Sequence, residues 1–210
     1  MSMNRDFFPL RQRGVSLVEL MVAIVLGMLV VAASLALYAN TFGVNASALR
    51  VSRLNNELRA VMTAITRDLR RAGYNGHATG GAPNPFGAIA VSASGTQITF
   101  TYDLDSNGLL AASSEQFGYR FNSASALIQS TTNNGSSWEP ITDPGRVLVT
   151  GFVVADESPT SVAMGSASGA IVNVQVRTYT VTLTGTVTSG GQAYTRVLRE
   201  TVRVRAEGVS

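Results

Sequence analysis

Two short stretches of the chain hold side chains whose type and spacing suit chemistry. The first centres on Glu19, the one charged residue in an apolar run from Val15 to about Ala39. A carboxylate at that depth in a bilayer costs on the order of 2.5 kcal/mol or more, so it calls for a cation. Arg13 lies on the wrong side of the interface and the next charge after Glu19 is Arg50, which points to a partner on another molecule. A free α-amino group at Val15, made by cutting after Gly14, would have the right charge and depth. The second stretch is Asp103-Leu104-Asp105-Ser106-Asn107-Gly108. Oxygen ligands at alternate positions and a glycine at the sixth reproduce the first half of a calcium loop. The second half departs from it: the twelfth position falls on Ser114, and Glu115 comes one residue late. A Ca2+ site on Asp103, Asp105 and Asn107 would therefore be open or completed from elsewhere. The same residues equally make a plain turn, and both readings stand.

Other chemistry finds little support. The chain has no cysteine and one histidine, His77, in a glycine-rich loop, so thiol chemistry is absent and imidazole-based metal or acid–base sites are close to excluded. No G-x-S-x-G elbow occurs, and no enzyme activity is expected. All 16 basic residues are arginine, and 13 acids leave a net charge of +3, too weak for a nucleic-acid assignment from charge alone. On the last strand Arg199, Thr201, Arg203 and Arg205 share a face with Arg196 nearby. That stripe suits DNA or anionic lipid, and equally a solvated face or acids of an adjacent subunit. Trp138 reads as a core or edge-covering residue.

The elements that must position these groups follow from periodicity. Arg5, Arg11 and Arg13 against Asp6 mark the amino-terminal side as the one that stays in the cytoplasm. The apolar run of about 25 residues spans about 37 Å as a helix, enough to cross a hydrocarbon core of about 30 Å. From Asn45 to Ala72 the pattern turns amphipathic. Leu54, Leu58, Val61, Met62, Ile65 and Leu69 form a stripe, and Arg53, Glu57, Arg59, Arg67, Asp68 and Arg71 lie opposite. Arginines 67, 70 and 71 suit the negative end of the helix dipole, and Gly73 suits the position after its end. The joined helix is expected to run about 58 residues or about 87 Å, with softening near Gly43 and Asn45.

The segment Arg13-Gly14-Val15-Ser16-Leu17-Val18-Glu19-Leu20-Met21 closely resembles the class III signal of type IV prepilins, with Val15 where phenylalanine is commonest. The resemblance implies cleavage after Gly14 by a prepilin peptidase, methylation of Val15, and a Glu19 that neutralises a neighbouring subunit's amino terminus. The segment from Arg67 to Gly76 is similar to the corresponding stretch of the PilW group of minor pilins, and the J-type pseudopilins of type II secretion end their helix similarly. As partners the resemblance implies the peptidase, other minor and major pilins, and the assembly platform of the bacterial inner membrane. It also implies a periplasmic head on a single-pass anchor. A pseudopilin of secretion or DNA uptake, and a tip adhesin or DNA-binding module, are the alternatives.

Beyond a Gly/Pro/Asn-rich loop from Gly73 to Gly87, short alternating runs divided by turn residues read as strands. They are Ala88–Ser92, Thr96–Tyr102, Gln116–Phe121, Leu127–Ser130, Arg146–Val154, Ile171–Thr184 and Tyr194–Arg205. Ile98, Phe100 and Tyr102 share the face that would cover the helix stripe. The long run changes phase, so a bulge or sharp twist is expected near Arg177–Thr178. Ser189-Gly190-Gly191 reads as a hairpin turn. The expected organisation is a leader over 1–14, a transmembrane helix over 15–39, an amphipathic helix over 40–73 and a β-rich head over 74–210. The fold class is α+β, a long helix packed on an antiparallel sheet.

Overall fold

The computed structural model describes residues 14–77, 84–158, 162–165, 171–204 and 208–209. The leader lies almost wholly outside the described residues, as does Arg205. Among the described residues one helix, α1 (Leu17–Arg71, 55 residues), is followed by eleven strands, and every pairing between these strands is antiparallel. The fold is therefore α+β. Gly43 and Asn45 do not interrupt α1. A single interior glycine costs a helix only about 1 kcal/mol against alanine, too little to break it here.

Two compact units divide the chain, residues 1–45 and 46–210. In the first, the apolar side chains of α1 are exposed, among them Leu20, Val25, Leu29 and Leu35. No described residue covers them, and α1 is long and apolar enough to cross a membrane. Ser34 and Thr41 return their hydroxyls to the carbonyls of Val30 and Leu37, so these two hydroxyls are satisfied within the helix.

In the second unit the expected stripe is the core. Leu54, Leu58, Val61, Met62, Ile65 and Leu69 are all buried, and they form one cluster with Ile98, Phe100 and Tyr102. Gly185 allows the close approach: a Cβ there would stand 2.9 Å from Leu58 Cδ2 and 3.1 Å from Leu54 Cδ1. At the helix end Gly73 takes φ 78°, and its N–H donates to the Thr101 carbonyl at 2.7 Å, turning the chain toward the sheet.

Five strands form the first sheet in sequential order: β1 (Ile89–Val91), β2 (Gln97–Thr101), β3 (Gln116–Asn122), β4 (Leu127–Thr131) and β5 (Glu139–Pro140). The second sheet has the order β10-β9-β6, from β6 (Leu148–Asp156), β9 (Thr178–Ser189) and β10 (Gln192–Arg203). The third has the order β11-β8-β7, from β7 (Val162–Gly165), β8 (Ile171–Gln175) and β11 (Gly208–Val209).

The run expected to be one bulged strand from Ile171 to Thr184 is instead two strands in different sheets, separated at Val176 and Arg177. A two-residue break serves the change of phase better than a bulge, because each half can then keep its own pairing register. The register shift that does occur lies in β6, between Val149 and Gly151. The β9–β10 hairpin turns at Gly190 and Gly191, with φ of 58° and 77°. Positive φ at both positions is the primed turn whose twist matches paired strands, which is why two glycines stand there.

Candidate functional site

Gly14, Val15 and Ser16 precede α1 in non-helical conformation, and the Leu20 N–H donates to the Ser16 carbonyl at 3.1 Å as the helix begins. Glu19 therefore sits in the first turn, where unpaired backbone N–H groups and the helix dipole favour a negative charge. Among the described residues no hydrogen bond or ion pair reaches its carboxylate. Val15 is exposed, and among the described residues nothing lies within 4 Å of a Cβ built at Gly14. The structure thus places the three expected residues together at one end of an apolar helix.

In the head, the Asp103–Glu115 loop brings together a different set from the expected one. The carboxylates of Asp103, Asp105 and Glu115 offer oxygens within 4.8 Å of one another, with Asp103 and Glu115 buried and Asp105 exposed. Asn107 is turned to other work, since its Oδ1 accepts from the Leu109 N–H at 2.6 Å and its Nδ2 donates to Asp105 at 2.7 Å. Glu115, the acid one residue late for a calcium loop, folds back to accept the N–H groups of Leu104 at 2.7 Å and Ala111 at 2.8 Å. Asp103 accepts from Gly76, Gly108 and Asn107. Burial alone would raise its pKa, but the backbone N–H bonds together outweigh that and hold the carboxyl below the usual aspartate range. These acids tie the loop's own backbone. A cation here would be held by Asp103, Asp105 and Glu115, and would share oxygens already accepting hydrogen bonds.

Periodicity alone did not single out the polar group buried between helix and sheet. Asp68, expected on the solvated face, is buried, and its Oδ2 accepts the Tyr119 hydroxyl at 2.7 Å. Arg67 reaches the other oxygen at 3.2 Å. Burial, the hydrogen bond to Asp68 and the charge of that carboxylate all push the Tyr119 pKa far above the ordinary tyrosine value. Beside it, a cavity of about 1030 Å³ at the end of α1 is lined by Arg67, Arg70, Arg71, Tyr74, Asp103 and Glu200. Its cations are engaged: Arg70 pairs with Glu200 at 3.2 Å, and Arg71 lies over the Tyr102 ring at 4.3 Å.

The arginine stripe of β10 is partly compensated. Arg199 pairs with Glu157 at 3.3 Å and Thr201 shares a hydrogen bond with Thr180 at 2.8 Å, while Arg196 falls on the other face by alternation. His77 is exposed, and its backbone N–H, not its ring, bonds Asn75. Trp138 is half-buried and covers Arg120 at 4.4 Å.

Two comparisons with protein families find matches. The model described as prepilin peptidase-dependent protein B matches residues 47–204, and that described as the prokaryotic N-terminal methylation motif matches residues 9–35. No curated protein and no solved structure matches the chain.

Proposed function

Since the chain belongs to the prepilin peptidase-dependent protein B family and is a type IV pilin-like protein, we propose that it is a minor pilin of the PilW type that helps start or cap a type IV pilus. Such families supply structural subunits, and the role proposed is assembly, not catalysis. The observation that carries the reading is Glu19: a carboxylate in the first turn of an exposed apolar helix, with no partner among the described residues.

In this reading prepilin peptidase removes residues 1–14, and the new Val15 amino group is methylated. Residues 15–39 hold the protein in the bacterial inner membrane, and the head from residue 74 stands in the periplasm. As subunits pack, Glu19 of one faces the Val15 ammonium of the next. In a medium of low dielectric an unpaired carboxylate is strongly disfavoured, so the pair selects one axial register between adjacent helices. Other pilins and the assembly platform are the proposed partners.

Mass analysis of the full chain, produced with and without a prepilin peptidase, tests the first step. The processed chain should begin at N-methylated Val15, and a chain that stays full length sinks the reading. Glu19→Ala should be cleaved as usual yet enter fibres poorly. Normal incorporation of that variant would remove Glu19 from the mechanism.

A further inference from the structure

The cavity of about 1030 Å³ at the end of α1 has no part in the assembly mechanism, and it reaches the upper end of the range of about 300–1,000 Å³ usual for ligand sites. Its charged groups are not equally committed. Arg67 is held by Asp68, and Asp103 accepts backbone N–H groups of its own loop and of Gly76. Arg70 and Glu200 pair at 3.2 Å, but the second oxygen of Glu200 and the other N–H groups of Arg70 have no partner among the described residues. Arg71 is the lining arginine without a carboxylate. Its guanidinium lies over the Tyr102 ring at 4.3 Å and makes no hydrogen bond or ion pair among the described residues. Stacking fixes the plane of the group and leaves its N–H edge for a planar anion.

We propose that this cavity binds an acidic oligosaccharide, with the carboxylate of a uronate ring on Arg71 and the sugar hydroxyls on the Arg70–Glu200 pair. A guanidinium matches a carboxylate with two parallel N–H bonds. A hydroxyl both donates and accepts, so it suits a fixed pair that offers N–H groups and a carboxylate oxygen side by side. The remaining wall is apolar: Tyr74 and Leu104 line the cavity and are 48% and 52% exposed. They give the C–H face of a sugar ring a surface to rest on, and the Tyr74 hydroxyl adds a polar tip.

Other ligands fit these groups less well. A nucleic acid brings a row of phosphates and needs several uncommitted cations, whereas Arg71 alone among the lining arginines has no acid partner. A peptide main chain seeks free backbone groups. Here the Gly73 N–H is given to Thr101 and its carbonyl to Asn84, while Tyr74 gives its N–H to the Arg71 carbonyl and accepts from Asp103. What the wall leaves unused is carried by side chains. This inference concerns the head, goes beyond the assembly role and does not rest on the processing of the amino terminus.

The experiment is a ligand-observed NMR titration of the full-length protein in detergent micelles. The probes are cellobiouronate and cellobiose, which has a hydroxymethyl group in place of the carboxylate. Cellobiouronate should bind about tenfold tighter. Arg71→Gln should weaken cellobiouronate about tenfold and leave cellobiose unchanged, since it removes only the partner of the carboxylate. Arg59→Gln removes the same charge from an exposed position outside the cavity and should change neither. Tyr74→Ala should weaken both sugars alike. The comparison of the two sugars on the unaltered protein needs no variant, so the test survives if Arg71→Gln folds poorly. Equal affinity for the two disaccharides, no saturable binding of either, or equal losses from Arg59→Gln and Arg71→Gln would each overturn the proposal. So would displacement of bound cellobiouronate by equimolar acetate, which marks a bare anion site, or by an equimolar acidic dipeptide.

Discussion

Replacing Tyr119 by phenylalanine should destabilise the head by about 2 kcal/mol, although it removes only one oxygen. That hydroxyl donates to Asp68 at 2.7 Å, and both residues are buried where α1 meets the first sheet. A hydrogen bond to a charged group contributes about 1.5–3 kcal/mol net, and removing the donor leaves the carboxylate desolvated. Arg67 is a weak substitute, because its side chain is 70% exposed and its pair with Asp68 is screened by water; such pairs contribute at most about 1 kcal/mol. Phenylalanine keeps the ring and opens no cavity, so the loss reports the hydrogen bond. Urea unfolding of the full chain in detergent, followed by the fluorescence of the single tryptophan, Trp138, measures it. A cycle with Asp68→Ala and the double variant should give a coupling of about 1–2 kcal/mol. A loss under about 0.5 kcal/mol for Tyr119→Phe, or additive single effects, would refute the assignment of this pair as the polar clasp between helix and sheet.

Two further outcomes follow from the buried tyrosines and the acidic loop. Burial raises the pKa of Tyr102, Tyr119 and Tyr179, with nearby carboxylates adding to the effect. Their contribution should be constant below about pH 10 and fall above it, as the unfolded chain releases protons that the native state retains. The limiting slope is about 1.4 kcal/mol per pH unit for each, or about 4 together. Urea midpoints from pH 8 upward check this, and tyrosinate absorbance that develops fully near pH 10 in the folded protein would contradict it. In the acidic loop the Asp103 and Glu115 carboxylates already accept backbone N–H groups, so exchanging EDTA for 10 mM calcium should leave the melting temperature unchanged. A rise of about 4 °C, as expected for a dissociation constant near 1 mM, would instead assign the loop a cation.

Much of the fold follows from short-range regularities. The 3.6-residue period of Leu54, Leu58, Val61, Ile65 and Leu69 set the core face of α1, and the alternation of Ile98, Phe100 and Tyr102 set the face that covers it. Gly73 ended the helix and Gly190-Gly191 turned the hairpin, because each needs a positive φ that other residues resist. The two-residue β5 and the four-residue β7 went unpredicted, being too short to show a period. Processing at Gly14 and Val15 and pairing through Glu19 were likewise readable only from local sequence, and remain for mass analysis and fibre assays to test.

What only the tertiary structure decided involves residues far apart in the chain. Asp68 reads as solvated on a helical wheel, and becomes buried because Tyr119, 51 residues later, arrives with a hydroxyl to meet it. Glu115 reads as one residue too late for a calcium loop, and joins Asp103 and Asp105 because the loop folds back through its own N–H groups. The run from Ile171 to Thr184 divides between two sheets, since pairing partners, not the run's own composition, decide where a strand ends. Local sequence sets periodicity, charge order and permitted backbone angles. Burial and partnership depend on which distant segment covers a side chain, and the folded chain alone contains that information.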